Sequence, residues 1–337
     1  MKAFEITGPK GCRIVDVDIP TPDDDDVVMK MLAVGICAAD AHAYQDGGFF
    51  GKVTEQPARL GHEGVGRITS VGSAVKDFKV GDYVTFHCAM SPKTRIGIGG
   101  DQGAFQEYLL VRDADKSLFS LGENVPIHIG AECEPLSVSI GGINAADPKP
   151  GEKAVIFGGG PIGLGAVVWL KLCGAAGVVV VEGIEARRQK ALVCGADATI
   201  DPSDNVVERL IEILGPSPYP SQSPKPDAQI FYECCGVGAA VQQAMACAHN
   251  ARIIVGGMHT KPVPVNFMDM MMGRFSMRPA DVNPGCLIEA AAQLTRNPDI
   301  WAPVLHEETL PFTEIERALQ IVLAQETTGK LVVTFDN

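Results

Sequence analysis

Cys37, His62, Glu63 and Glu134 carry the sulfur, imidazole nitrogen and carboxylate oxygen that zinc prefers. His62 and Glu63 lie in the block Gly61-His62-Glu63, and a glycine-rich segment, Gly158-Gly159-Gly160-Pro161-Ile162-Gly163, follows much later in the chain. A catalytic zinc takes three protein ligands and keeps one position open, a set that Cys37, His62 and Glu134 could supply. Such a metal polarises an alcohol oxygen and lowers its pKa, so that hydride can pass to a nicotinamide ring. A lone Cys or His is more often structural, and spacing alone leaves both readings open.

The glycine segment follows the short apolar run Lys153–Phe157 and opens an apolar stretch from Pro161 to Cys173 that reads as a helix. In Gly158-x-Gly160-x-x-Gly163, the first glycine allows a tight turn and the second lets backbone approach a pyrophosphate. The third lets helix and strand pack closely. The helix N-terminus, with Pro161 and Ile162 in its first turn, offers free N–H groups to phosphate. A second apolar run, Val178–Val181, ends at Glu182, where an acid can accept hydrogen bonds from the adenosine ribose. That carboxylate would repel a 2′-phosphate, which favours NAD over NADP; Arg187 and Arg188 nearby weaken the preference, because an arginine can hold the phosphate.

These groups need two kinds of support. Up to about residue 140 the chain is rich in glycine, proline and short apolar runs, with strands expected at 27–32, 66–71 and 83–86, a turn at 80–82, and a β barrel or sandwich as the outcome. Beyond it, buried strand, helix and buried strand make a βαβ unit, continued by a helix at 185–194 and strands at 228–232 and 252–255, the pattern of a doubly wound parallel sheet. Helices at 287–296 and 312–325 precede a last strand at 331–335. The segment 215–226, with five prolines, reads as an exposed loop without an assigned function. Residues 1–143 and 284–337 are therefore expected to form a β-rich catalytic domain, and 144–283 a nucleotide-binding domain.

The 337 residues suffice for two domains. A net charge of −13 argues against nucleic acid and anionic membrane surfaces as partners, since both would repel it. No secretory signal is read at the start, and the most apolar stretch, 162–181, is broken by Lys171 and glycines, so a cytoplasmic location is expected. Ten cysteines without a C-x-x-C pair read as reduced, mostly buried thiols. The adjacent Cys234 and Cys235 could be redox-active, although a disulfide between neighbours is strained.

Gly61-His62-Glu63-Gly64-Val65-Gly66, continuing to Gly72 and Val75, resembles the zinc signature of the medium-chain alcohol dehydrogenases. The segment Cys37–His42 resembles that family's first-ligand segment. Glu134-Pro135-Leu136-Ser137-Val138 resembles the third-ligand segment of the sorbitol and polyol branch, where Glu replaces Cys. The resemblance covers nearly the whole chain, including Gly81–Val84, the glycine segment and Thr328–Thr334. It implies an α/β protein in which a GroES-like β-rich catalytic domain is interrupted by a Rossmann domain, with the active site in the cleft between them. It further implies one catalytic zinc on Cys37, His62 and Glu134, with Glu63 beside the metal and able to replace a ligand, and Asp40 holding a ligand in orientation. Val255 and Gly257 would approach the nicotinamide carboxamide through backbone, and Lys330 would reach the pyrophosphate. A homodimer or homotetramer joined through the cofactor domains is implied, with Met268–Met272 as interface or core.

Two departures stand out. Between Phe86 and Phe105 only Cys88 remains of the four-cysteine lobe that holds a structural zinc in many relatives, so one zinc per chain is expected. Ala39 occupies the place of a hydroxyl residue that passes the alcohol proton outward, which leaves His42, water near Glu63 or a substrate hydroxyl for that task. The segment 44–51 mixes aromatic and polar groups, as the mouth of a polyol or sugar site would. The first functional expectation is NAD-dependent oxidation of a secondary hydroxyl of a small polyol, cyclitol or sugar. A simple alcohol or threonine-type dehydrogenase is the second. A non-catalytic dinucleotide-binding or structural protein, suggested by Ala39, is the third.

Overall fold

The computed structural model describes residues 1–49, 52, 53, 57–219, 221 and 223–336. The chain divides into two compact units, Met1–Glu134 with Leu287–Asn337, and Pro135–Cys286.

The first unit is built on a seven-stranded sheet. Its order is Leu305–Pro311, Lys330–Thr334, Val27–Gly35, Glu63–Val71, Tyr83–Phe86 and Leu118–Ser120, with Tyr108–Val111 added on Val27–Gly35. An antiparallel hairpin, Lys2–Gly8 and Gly11–Asp16, stands beside it. The central strand Val27–Gly35 is buried along nearly its whole length, and Phe4, Met29, Met31, Phe86, Phe105 and Leu331 are among the fully buried side chains of the unit's core. The register pairs Gly35 with Glu63 on one side and with Val332 on the other. One strand end therefore carries the backbone on which Glu63 and Lys330 meet. The last strand starts at Lys330, one residue before the sequence expectation, which brings that lysine inside the sheet.

The second unit is a six-stranded, wholly parallel sheet ordered Ala198–Ile200, Gly177–Val181, Lys153–Phe157, Ile230–Glu233, Arg252–Val255, Ser276–Pro279. All five residues of Gly177–Val181 are buried, as a strand covered on both faces requires. The first strand in sequence, Lys153–Phe157, lies between the second and the fourth, so the chain reverses its winding there; in such sheets ligands bind outside the carboxyl ends of the strands at that point. Helices Pro161–Leu172 and Glu185–Val193 occupy the expected stretches. The expected α/β class, a β-rich unit plus a doubly wound parallel sheet, is the class observed.

Several helices carry no sequence expectation: Ala38–Asp46, Cys133–Ala145, Val206–Leu214, Gly238–Cys247 and Phe267–Gly273. The first is built largely of alanine and polar residues and shows no apolar stripe to reveal it. Val206–Leu214 is different: Val206, Leu210 and Leu214 form a buried stripe, and the Asn205 side chain accepts the Glu208 N–H as an N-cap, both legible features. In 215–226 the described residues form no helix or strand beyond a bridge between Pro216 and Pro226; Pro220 and Gln222 lie outside the described residues. Among the described residues no helix is long and apolar enough to cross a membrane.

Phe231 is fully buried in the second unit's core with Val155, Phe157, Val179 and Ile253. Phe231→Ala is expected to cost about 3–5 kcal/mol through the cavity it leaves, read as a lower urea midpoint; a shift within error would place the core elsewhere.

Candidate metal centre and dinucleotide loop

Cys37 stands at the N-cap of helix Ala38–Asp46, where backbone N–H groups are free of helical partners and negative charge is favoured. His62 and Glu63 enter the strand Glu63–Val71 from a turn at Gly61, whose φ of +90° and close approach to Phe105 both demand glycine. These elements bring one donor atom each from Cys37, His62 and Glu63 to within 4.8 Å of one another. Among the described residues this is the one group of three or more such donors. Glu134, on the first turn of helix Cys133–Ala145, is not in that group, although it is close enough to interact electrostatically with His62, Glu63 and Lys330.

Asp40 is fully buried one turn into the helix. Its Oδ1 accepts the Gly61 N–H at 3.1 Å, and its Oδ2 lies 3.4 Å from His62 Nδ1. Neither Oδ2 nor Nδ1 has a hydrogen bond of good geometry, and both atoms are buried. Asp40 therefore stands on the Nδ1 side of the imidazole, which leaves Nε2 as the nitrogen for a metal, an orientation metal-binding histidines commonly share.

The groups around the cluster perturb one another electrostatically. Burial opposes charging of His62, but Asp40 and Cys37 outweigh it and hold its pKa well above the usual histidine value. Burial pushes Glu134 up to about 7, countered by His62 and reinforced by Glu63. Burial likewise opposes the charge on Lys330, yet Glu63, Cys37 and Glu134 hold its pKa up. The Cys37 thiol and three carboxyl groups, Asp40, Glu63 and Glu134, therefore interact with one lysine and one histidine. The donor set of sulfur, nitrogen and carboxylate oxygen fits zinc.

Lys330, expected to reach the pyrophosphate, is 4% exposed, and its Nζ donates to both Glu63 carboxylate oxygens at 2.6 and 2.7 Å and to the Ile36 carbonyl at 3.3 Å. The pairing register, with Gly35 between Val332 and Glu63, brings the two strands' side chains together across Gly35. A Cβ on Gly35 would sit 2.5 Å from Glu63 Oε2 and 3.1 Å from Lys330 Cδ, so glycine is what lets the pair close. Gly35 escaped the sequence reading, since nothing in an apolar strand distinguishes a glycine that makes room from one that merely ends it.

Other expected residues are less involved. His42 is solvent-exposed on the helix, two residues from buried Asp40 and therefore on another side of it. Tyr44, expected at a pocket mouth, is instead 3% exposed and donates to Glu316 Oε1 at 2.7 Å. Phe49 belongs to the core, and Phe50 and Gly51 of the same segment lie outside the described residues.

In the second unit the glycine loop leaves the strand Lys153–Phe157 at the winding reversal. Gly158 has φ +116°, and a Cβ on Gly163 would lie 1.9 Å from the Gly158 carbonyl oxygen, so packing requires both glycines. Gly160 differs: a Cβ there would meet nothing within 4 Å. The protein leaves this space open at the N-cap of helix Pro161–Leu172, where a pyrophosphate would approach. Glu182 accepts the Gly159 N–H at 2.6 Å and the Ile184 N–H at 2.8 Å, which fixes its carboxylate beside the loop. Arg188 is engaged with Asp201 at 2.8 Å, with Glu185, and with the carbonyls of Glu182 and Gly183. Arg187 sits half-buried on the same helix. Val255 ends its strand half-buried, and a Cβ on Gly257 would collide with the Gly236 nitrogen at 2.2 Å.

Comparison with known proteins agrees with this geometry. Residues 23–123 match the model of the alcohol dehydrogenase GroES-like domain, and residues 161–294 that of the zinc-binding dehydrogenases. The chain is 30% identical over 278 residues to the sorbitol dehydrogenase of Pongo abelii, covering 74% of this chain and 72% of that protein. It is 31% identical over 267 residues to the (R,R)-butanediol dehydrogenase of Bacillus subtilis (strain 168), covering 73% of each. The crystal structure of 2R,3R-butanediol dehydrogenase from Bacillus subtilis superposes with a TM-score of 0.86 at 24% identity, covering 100% of this chain and 99% of that one, a likeness of fold.

Removing Lys330 leaves the buried acids without their fixed cation. Lys330→Met is expected to lose about 3–5 kcal/mol of stability in chelator-treated protein, and Lys330→Arg to lose less. Denaturant titration without metal reads this; an unchanged midpoint would mean the pair contributes nothing.

Proposed function

Because this chain belongs to the zinc-type medium-chain alcohol dehydrogenases, oxidoreductases that act on alcohols, we propose that it transfers hydride between a secondary hydroxyl of a small polyhydroxy compound and NAD, with one zinc per chain. The observation that carries this reading is the Cys37–His62–Glu63 cluster, whose sulfur, nitrogen and carboxylate oxygen donors lie within 4.8 Å of one another. Bound zinc would supply Lewis acidity, lowering the pKa of the substrate hydroxyl so that its carbon can release hydride.

The chain's own residues do the rest. Cys37 and His62 hold the metal, with Glu134 as third ligand and Glu63 as the carboxylate that can exchange with it. Glu63 is assigned the exchanging role because both its oxygens are bonded to Lys330. Asp40 keeps the His62 ring in place from its Nδ1 side. The N–H groups at the start of helix Pro161–Leu172 bind the pyrophosphate over the open space at Gly160, and Pro161 and Ile162 shape that turn. Val255 and Gly257 line the nicotinamide end. Glu182, already held as an acceptor by two backbone N–H groups, takes the adenosine ribose hydroxyls and repels a 2′-phosphate. Arg188 is committed to carboxylates and carbonyls, which supports NAD further. With Ala39 in place of a hydroxyl residue, the substrate proton leaves through water or a neighbouring substrate hydroxyl towards exposed His42.

Relatives named for sorbitol and butanediol support a substrate with more than one hydroxyl. The deciding experiment is initial-rate NAD reduction on polyols, cyclitols, sugars, threonine and simple alcohols, with and without metal removal. We expect turnover on a polyhydroxy compound that chelation abolishes and zinc restores. Rates indifferent to zinc content would overturn the metal mechanism, and preference for a simple alcohol or for threonine would overturn the substrate class.

The same reading makes the protein a homo-oligomer joined through its nucleotide units. Helix Phe267–Gly273 supports this: Phe267, Met268, Met271 and Met272 are 76, 59, 62 and 49% exposed, so the segment is not core. It precedes the sheet's edge strand Ser276–Pro279, whose outer backbone groups can pair with another chain. Met271→Lys with Phe267→Lys should shift the sedimentation coefficient towards that of a single chain; a wild-type protein that already sediments as one chain refutes the assignment.

A further inference from the structure

Glu233 ends the fourth strand of the nucleotide unit at the winding reversal and is fully buried. It is a second acid closing an apolar strand, like Glu182, yet it binds differently. Its Oε1 accepts the N–H groups of Cys235 at 2.9 Å and Gly236 at 2.6 Å. Its Oε2 is paired with His259 Nε2 at 2.8 Å. Its backbone carbonyl accepts the N–H groups of Gly256 at 2.7 Å and Gly257 at 3.1 Å. One residue therefore ties the loop after its own strand, 234–236, to the loop after the neighbouring strand, 256–259.

The two loops interlock around the carboxylate. A Cβ on Gly257 would lie 2.6 and 2.7 Å from the two Glu233 carboxylate oxygens. Gly236, at φ +71°, would place a Cβ 2.8 Å from the Met258 carbonyl. The first loop also abuts the phosphate loop, because a Cβ on Gly158 would meet Cys235 Cβ at 3.0 Å. His259 is only 15% exposed, so Glu233 and His259 bond largely away from water, where a charged acceptor makes the bond stronger.

We propose that Glu233 and His259 form a clamp that positions the backbone at 255–257 for the nicotinamide half of the cofactor, without touching the cofactor themselves. Both are positioning residues. The inference rests on the dinucleotide reading given above and adds to it which half of the dinucleotide depends on the pair.

The test compares two ligands by calorimetry on the full-length, zinc-loaded protein: NADH, and ADP-ribose, which lacks the nicotinamide. Wild type should bind both. His259→Leu should weaken NADH about tenfold while ADP-ribose stays within about twofold, the scale expected when a hydrogen bond to a charged group is lost. His259→Gln, which keeps an N–H donor near the same place, should recover most of the NADH affinity. Glu233→Gln, which keeps an acceptor for the two loop N–H groups but loses the charge, should fall between. Retained ADP-ribose binding shows that each variant is folded. Equal weakening of both ligands, or no change in either, overturns the clamp while the dinucleotide reading stands. Failure of the wild type to bind either ligand overturns the dinucleotide reading and the clamp with it.

Discussion

The first unit is organised around ionisable groups gathered in a buried place. Cys37 with Asp40, Glu63, and Glu134 come together from three chain segments, and their positive partners are Lys330 and His62. Burying charge without partners costs several kcal/mol per ion, so such a cluster persists only if geometry supplies compensation. Here the compensation is the two-oxygen grip of Lys330 on Glu63 and the placement of Asp40 behind His62. The fold around it serves that balance: Gly35 leaves room for the ion pair, Gly61 turns His62 inward, and the helix N-cap presents the Cys37 sulfur.

The nucleotide unit solves a different problem, which is to bring backbone close to a ligand. The glycines of its phosphate loop divide into Gly158 and Gly163, which the protein's own packing requires, and Gly160, which it does not. Gly163 and Gly257 would collide with neighbouring backbone if they carried a Cβ, whereas Gly160 faces open space. The sequence motif treats its glycines alike in spelling. Only the structure separates the one left open from those that close the turn, and it adds the Glu233 knot that joins two neighbouring loops.

Much of the doubly wound unit was legible because its signals are local. Lys153–Phe157 and Arg252–Val255 have the expected bounds, and Pro161–Leu172 ends one residue early. Long apolar runs bounded by glycine leave few alternatives. The β-rich unit was legible as a class, but its register was not. The register of the last strand decides where the buried Lys330 charge points, and that register depends on pairing with a strand about 300 residues earlier. Tyr44 shows the same limit, since its partner Glu316 lies 272 residues away.

By itself the sequence determined the chemistry on offer: which side chains can ligate a metal, where a phosphate loop opens a helix, and which acid follows it. Those are properties of residue type and short spacing. The tertiary structure decided which of these groups share a volume. It gathered Cys37, His62 and Glu63 into one cluster, held Glu63 to Lys330, turned Tyr44 inward and left His42 exposed. The physical reason is that electrostatic compensation acts through space, at distances of a few ångströms, between residues whose separation along the chain carries no trace of their meeting.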